Sequence, residues 1–304
     1  MNVAVYGSMA PDILSDEVIA LISLLSTGAS RLEIEADFYA RLAARFVMPS
    51  ECRAVDKPSA DTDIIVSIGG DGTFLHAVRW QRGSCIPIAG LNGGHLGYLT
   101  GWMLADYRDF AADIFAGNYH TDLREMLEVS LPDVFAVPDD FYPYALNEVA
   151  ILKESSASMI SVKAATDAGY LATYDADGLI CATPTGSTGY NLSVGGPIME
   201  PHIPAWALSP VAPHSLNMRP LVISSDTTLR LDVYSRTGQA LLMLDGTSLI
   251  IPATGITNTE GAESCGVMVK KAGFSQPVVR PKSGSFAGTL RTKLLWGASP
   301  ISRY

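Results

Sequence analysis

Positive charge is in short supply in this chain. Lys and Arg number 21 against 31 Asp and Glu, giving a net charge of −10, and no block of basic residues occurs. General nucleic-acid binding and attachment to an anionic membrane surface are thereby excluded. Cysteine is scarce as well. Cys52, Cys85, Cys181 and Cys265 are scattered without metal-ligand spacing, and a chain of 304 residues needs no disulfide staples, so free thiols are expected. His76 and His95 are too isolated to suggest a metal site. No apolar run, Val18 to Leu25 included, approaches the ~20 residues of a membrane span. The stretch Met1 to Gly7 has no basic flank or cleavage pattern and reads as a first strand, not a signal peptide. No Gly-x-Gly-x-x-Gly follows that strand and no Gly-Lys-Ser/Thr sequence occurs, so neither the dinucleotide fingerprint nor a P-loop lysine is available. Internal repeats and low-complexity segments are absent. What remains is an acidic chain, 48% hydrophobic and 17% charged, large enough for two packed domains and expected in the cytoplasm.

What is present concentrates first at Ile64-Ile65-Val66-Ser67-Ile68-Gly69-Gly70-Asp71-Gly72-Thr73. The β-branched run predicts a buried strand, the glycines a tight turn, and Phe74 to Arg79 a helix that begins at once. Glycines let backbone N–H groups approach a ligand with no Cβ in the way. The helix start adds partial positive charge, so an anion such as a phosphate fits there. Asp71 is at odds with an anion nest. It suits taking a proton from an attacking hydroxyl or acting through a metal ion. The plainer alternative is a turn in which Asp71 or Thr73 caps the helix.

Around this turn, strands alternate with helices. Strands are expected at residues 2–6, Leu32–Ile34 and Ile86–Leu91. Helices are expected at Glu17–Leu25 (capped by Asp16), Phe38–Phe46 and Leu104–Phe115, with a loop over residues 49–61. This predicts a parallel α/β sheet over residues 1–117, whose ligands sit beyond the C-terminal ends of its strands. After Gly117 the period becomes two: Leu127, Val129 and Leu131, like Leu229, Leu231 and Val233, alternate with polar residues. More strands are expected at Ile160–Ala164, Tyr170–Tyr174, Leu179–Ala182, Leu241–Leu244 and Gly266–Lys270, and short helices at Gly189–Leu192 and Ala205–Leu208. The second region therefore reads as largely β. Phe286 to Trp296 regains helical or mixed character.

Four stretches carry further chemistry. Asn147-Glu148 lies inside the apolar run Ala145 to Leu152; one side chain could meet a ligand while the other braces the backbone, or the pair could mark an exposed edge strand. Asp175 to Ser193 holds Asp177-Gly178 and then Thr183-Pro184-Thr185-Gly186-Ser187-Thr188-Gly189-Tyr190. Its small hydroxylated residues let a ligand lie close, and Tyr190 could stack on a base or pack in a core. Arg219, in Pro213 to Pro220, could pair with a phosphate or a protein carboxylate, while His214 has no nucleophile beside it and reads as structural. Asp245-Gly246 could be a plain hairpin turn.

Taken together and in this order, these residues resemble the NAD kinases. Gly69-Gly70-Asp71-Gly72-Thr73, Gly94-His95-Leu96-Gly97-Tyr98, Asn147-Glu148, Asp177-Gly178, the Thr183–Tyr190 stretch, Pro213 to Pro220 and Asp245-Gly246 all fit, over most of the chain. The resemblance implies an α/β N-terminal domain with a parallel, Rossmann-like sheet (residues 1–117 plus 276–304) and a β-rich, β-sandwich-like domain (118–275). It implies ATP-dependent phosphorylation of the 2′-hydroxyl of the adenosine ribose of NAD, giving NADP, with Mg²⁺ or another divalent cation and a homodimer or homotetramer. Carried over by position, Asp71 is the catalytic aspartate. Gly69, Gly70, Gly72 and Thr73 hold the phosphates of ATP, and no residue is assigned to a metal. Gly72, Tyr98, Asn147, Glu148, Asp177, Thr185, Thr188, Gly189, Tyr190, Ser193 and Asp245 line the NAD site. Asp177 is expected on the nicotinamide amide and Asp245 near a ribose or phosphate. Gly189 and Tyr98 stand where alanine and phenylalanine are common. A lipid kinase shares the glycine turn but predicts an apolar acceptor cleft, which Asn147, Glu148 and the Thr185–Tyr190 stretch oppose. A non-catalytic NAD(H)-binding sensor would have no need of Asp71.

Overall fold

The computed structural model describes residues 1–10, 13–94, 97–132, 135, 137–155, 159–253 and 266–296. Two compact units emerge: Met1–Leu123 together with the chain from Gln276 onward, and Arg124–Ser275.

The first unit runs β1 (Asn2–Gly7), α1 (Asp16–Gly28), β2 (Arg31–Glu35), α2 (Ala36–Ala43), β3 (Cys52–Val55), β4 (Ile64–Ile68), α3 (Asp71–Trp80), β5 (Ile88–Asn92), β6 (Trp102–Met103) and α4 (Tyr107–Ala116). Its strands are parallel in the order β3-β2-β1-β4-β5. The chain walks outward from β1 to β3, then returns to lay β4 on the other flank of β1. Those two strands border a topological switch point, where α/β sheets bind ligands. Every residue of β4 is buried, as its continuous apolar run predicts for a strand covered on both faces. Val5, Ile34 and Val66 of the sheet pack with Leu21 and Leu25 of α1 and Phe110 and Ile114 of α4. Each such fully buried side chain contributes roughly 1.5–3 kcal/mol, which makes the sheet a firm platform for the turns at its end.

Two local expectations change. Ser15, not Asp16, is the N-cap of α1; Asp16 is instead a first-turn residue, where its charge favours the helix dipole. The polar stretch 49–61 contains β3, in which only Cys52 is fully buried, so its composition hides a strand.

The second unit is built from β7 (Tyr119–Ser130), which leads into it, β8 (Tyr144–Ala145), β9 (Glu148–Lys153), β10 (Ile160–Thr166), β11 (Gly169–Ala176), β12 (Gly178–Ala182), α5 (Tyr190–Ser193), β13 (Ala205–Val211), β14 (Leu221–Ser224), β15 (Leu229–Ser235), β16 (Gln239–Leu244), β17 (Thr247–Pro252) and the first part of β18 (Gly266–Pro281). One antiparallel sheet has the order β14-β13-β12-β9-β16-β17; the other places β11-β10-β15-β18 side by side. Ile151, Leu179, Leu208 and Leu242 from the first sheet share one core with Val162, Leu231 and Val233 from the second, the packing of a β-sandwich. Ala205–Leu208, expected as a short helix, is strand β13: a uniformly buried run with no period does not distinguish the two. The end of β18 runs parallel to β5 through Val278 and Val279, and α6 (Phe286–Leu294) closes the described chain.

Cys52, Cys85 and Cys181 are free thiols, and burial raises all three pKa values; Cys265 lies outside the described residues. Among the described residues no helix is long and apolar enough to cross a membrane.

Candidate functional site

At the switch point of the first unit, the ends of β1, β4 and β5 open onto a cleft of about 390 Å³ lined in part by Ser8, Ala10, Gly69, Gly70, Asn92 and Gly93. Gly69 has φ +150°, and a Cβ there would press on Thr73 and Ser8, so the strand-to-helix turn requires glycine. The N–H of Gly69 is spent on Leu91 O at 2.8 Å. What α3 offers an anion is therefore its own first-turn N–H groups, from Asp71 to Thr73, and the positive end of its dipole.

Asp71 opens α3, and its carboxylate is gripped by three consecutive amides. Tyr98 N donates to Oδ2 at 2.7 Å; Leu99 N and Thr100 N donate to Oδ1 at 3.1 and 3.3 Å. The neighbouring glycine is dictated by this grip, because a Cβ on Gly97 would overlap the Asp71 carboxylate. From the other side, the buried Arg280 guanidinium donates from Nη1 to the carbonyls of Tyr98 and Leu99, both at 3.0 Å. Thr100, fully buried, accepts from Gly97 N at 2.8 Å and from Asn92 Nδ2 at 3.4 Å, while Asn92 Oδ1 accepts from Gly94 N at 2.9 Å. Among the described residues Oδ2 accepts from Tyr98 N alone, which leaves it acceptor capacity for a hydroxyl. The arrangement can hold an acceptor hydroxyl against a carboxylate whose orientation is fixed.

The second unit carries its own cluster. Asn147 and Glu148 are 9% and 6% exposed, and β9 lies between β12 and β16. The edge-strand alternative is therefore wrong; strand order is a long-range property that composition does not encode. Asp245 and Gly246, at φ +46° and +83°, form the two-residue turn between β16 and β17, as the Asp-Gly pair predicts. The Asp245 carboxylate turns back to accept from Leu146 N (2.6 Å), Asn147 N (2.8 Å) and Glu148 N (3.0 Å). Burial pushes its pKa up to about 6 against the pull of those bonds. Glu148 is pushed up to about 8, by burial first and by Asp245 second, with Tyr190 N–H opposing.

The Thr183–Ser193 stretch wraps over the other face of this sheet, where Tyr190 packs beside Ala150, Ile180 and Ala182. Much of its polarity is internal. Thr183 Oγ1 donates to Leu146 O at 2.6 Å, Ser187 Oγ to Pro184 O at 2.7 Å, and Asn191 Nδ2 to Ser187 O at 3.1 Å. Thr185 is buried, Thr188, Gly189 and Tyr190 are half-buried and Ser193 is exposed. Gly189 is the residue that faces the cluster: its Cβ position lies 3.0 Å from Glu148 Oε2 and 3.4 Å from Asn147 Nδ2.

Asp177 is not brought to this cluster. It precedes β12 and pairs with Lys153 Nζ at 2.8 Å, whereas Glu148 is opposite Ala182 at the strand's far end. The five residues of β12 separate Asp177 from Thr183, six residue steps or about 20 Å. Tyr98 lies beside Asp71; burial first, then the Asp71 charge, raises its pKa, and Lys293 Nζ sits 4.5 Å from its ring centroid. Arg219 Nη1 donates to the carbonyls of Leu216 and Met218. His95 and Leu96 lie outside the described residues. Sequence reasoning passes over Asn92, Thr100 and Arg280; the first two sit close to the quoted glycine turn, but nothing local marks Arg280.

Comparison with known proteins bears on both units. The ATP-NAD kinase N-terminal domain matches residues 35–119 and the ATP-NAD kinase C-terminal domain matches residues 146–256. An NAD kinase of Bacteroides fragilis is 38% identical over 98% of this chain and 99% of its own length, and one of Porphyromonas gingivalis is 39% identical over the same shares. Among solved structures, a yeast NADH kinase complexed with NADH shares the fold, with a TM-score of 0.83, 21% identity, and 98% of this chain and 89% of that one covered. An NAD kinase from Archaeoglobus fulgidus in complex with ATP gives a TM-score of 0.70 at 26% identity, covering 97% and 99%. With both domains matched and relatives of this similarity along nearly the whole chain, the protein belongs to the NAD kinase family.

Proposed function

We propose that this chain transfers the terminal phosphoryl group of ATP to the 2′-hydroxyl of the adenosine ribose of NAD, forming NADP. The observation that carries the reading is the near full-length similarity to NAD kinases. The residue roles rest on geometry. Asp71 orients the accepting hydroxyl through the acceptor capacity left on Oδ2 and takes its proton as the oxygen attacks phosphorus. Gly70, Gly72 and Thr73 belong to the turn and first helical turn whose N–H groups and dipole favour the donor's phosphates, while Gly69 shapes the turn. Asn147, Glu148, Thr185, Thr188, Gly189, Tyr190 and Ser193 belong to the dinucleotide site of the β-rich domain. Asp245 braces that site through amides 146–148 and lines it close to a ribose or phosphate.

ATP chemistry brings Mg²⁺ or another divalent cation with it. Among the described residues no three His, Cys, Asp or Glu side chains converge on a common point, and Asp71 is already held by three amides. The residues present thus do not build a protein-only metal site, and no step is assigned through one. We further propose that the two domains comprise residues 1–117 with 276–304 and residues 118–275, and that the protein works in the cytoplasm as a homodimer or homotetramer. Exposed Leu216, and Val222 on the edge strand β14, supply apolar surface for a second copy.

Incubation with NAD, ATP and Mg²⁺, followed by an assay for NADP, tests the activity. The variant Asp71→Asn, folded as judged by circular dichroism, is expected to lose about 10²–10⁴-fold in turnover, the usual contribution of a positioned proton acceptor. Near-normal turnover in that variant would remove Asp71 from the chemistry.

A further inference from the structure

We propose that Glu148 meets the NAD-site ligand as a neutral carboxylic acid, with Oε2 donating a hydrogen bond, and not as a carboxylate. The proposal rests on the NAD kinase reading for the identity of the ligand, while the protonation itself follows from the cluster.

Three observations carry it. First, Glu148 Oε2 and Asn147 Oδ1 are buried polar atoms with no hydrogen-bond partner among the described residues, on side chains that are 94% and 91% inaccessible (6% and 9% exposed). Buried polar atoms without partners are the exception in folded proteins and point to a group supplied from outside. Second, both side chains converge on Gly189, where a Cβ would stand 3.0 Å from Glu148 Oε2 and 3.4 Å from Asn147 Nδ2. With Gly186 O a further 3.3 Å from the same position, a methyl there would crowd all three polar atoms, so glycine is what leaves Glu148 Oε2 unobstructed. Third, the cluster contains two carboxyl groups and unequal means of supporting charge. Asp245 has three amide donors. Among the described residues Glu148 has the Tyr190 N–H alone, and no basic side chain pairs with it.

Two adjacent buried carboxylates cannot both remain ionised without a large cost, so one proton is retained, and it resides on the partner with fewer donors. The direction of the Glu148 shift agrees, since burial and the Asp245 charge both favour its neutral form. The groups facing Glu148 are Asp245 from the β16–β17 turn and Tyr190 from α5; its neighbour on β12 is Ala182, and β16 presents Leu244 opposite Val149, so neither strand adds a charge there. At the Gly189 corner the Glu148 O–H and the Asn147 Nδ2 amide both donate, and so fit a ligand group that accepts, such as a ribose oxygen or a purine ring nitrogen.

The test measures NAD affinity of the full-length protein, without ATP, at pH values from about 6 to about 9.5. Wild-type affinity is expected to fall by about tenfold per pH unit once Glu148 loses its proton. Glu148→Gln, which keeps a neutral N–H donor at the same place, is expected to bind within a few-fold of wild type at pH 7 and to show no such decline. Wild-type affinity that rises with pH, or a Glu148→Gln protein that is folded yet bound more than tenfold weaker at pH 7, overturns the proposal. Infrared difference spectroscopy reads the proton without any ligand: a protonated-carboxyl band at neutral pH, missing in Glu148→Gln, is expected, and its absence from wild type also overturns the proposal. If NADP formation fails while the infrared band is present, the function reading falls and the protonation stands.

Discussion

Replacing Asp245 offers a graded test of how the dinucleotide site is built. Its side chain accepts three amides at 2.6, 2.8 and 3.0 Å, two of them on Oδ1 and the shortest on Oδ2. Asp245→Asn keeps Oδ1 as an acceptor, tolerates the positive φ of the turn, and loses only the Oδ2 bond to Leu146. The expected cost is about 1–3 kcal/mol, the penalty for one buried donor left unmet. Asp245→Ala removes all three acceptors and places a Cβ residue without side-chain support at φ +46°. Partial hydration of the freed amides limits the loss, so about 4–6 kcal/mol is expected, a large share of the roughly 5–15 kcal/mol that holds a domain folded. Hydrogen–deuterium exchange on the peptide spanning 146–148, paired with thermal melting, reads this directly. Protection there should fall in the order wild type, Asn, Ala. Unchanged protection and melting in Asp245→Ala would falsify the idea that this carboxylate organises the strand entrance.

Arg280 should act on Asp71 from a distance. Arg280→Met removes both bonds to the carbonyls of Tyr98 and Leu99, so kcat for NADP formation is expected to fall about 10²-fold through misplacement of the carboxylate, with a smaller change in KM; equal, parallel shifts in both constants would count against it. Stability should also depend on pH. Asp245 and Glu148 have folded pKa values raised to about 6 and about 8, above their unfolded values, so the native state binds more protons than the unfolded one between about pH 4 and 8. Melting temperature should therefore decline as pH rises through that window, and Glu148→Gln should flatten its upper part; a wild-type melting temperature that climbs from pH 5 to 8 refutes the assignment.

What the sequence made legible was local. The β4 strand, its glycine turn and α3 follow from one continuous stretch, and the Asp245-Gly246 hairpin follows from a dipeptide with a known backbone requirement. What it hid was distant or carried by the backbone. Asp71 meets its amides 27 to 29 residues later, and an N–H group has no side-chain signature to read. Arg280 reaches the same segment from 182 residues beyond Tyr98. The burial of Asn147 and Glu148 depends on β9 lying mid-sheet, which requires β16 to arrive about 90 residues later. The separation of Asp177 and Glu148 by the length of β12 is likewise set by strand register, which no local stretch displays.

Both anchoring aspartates grip main chain, and this has a consequence for how the enzyme can change over generations. An amide N–H is common to nineteen residue types, so the grips on 98–100 and 146–148 are indifferent to what side chains those positions carry. Substitution there can reshape what a ligand meets while the loop stays where it is. Only proline, which has no N–H to give, would let go.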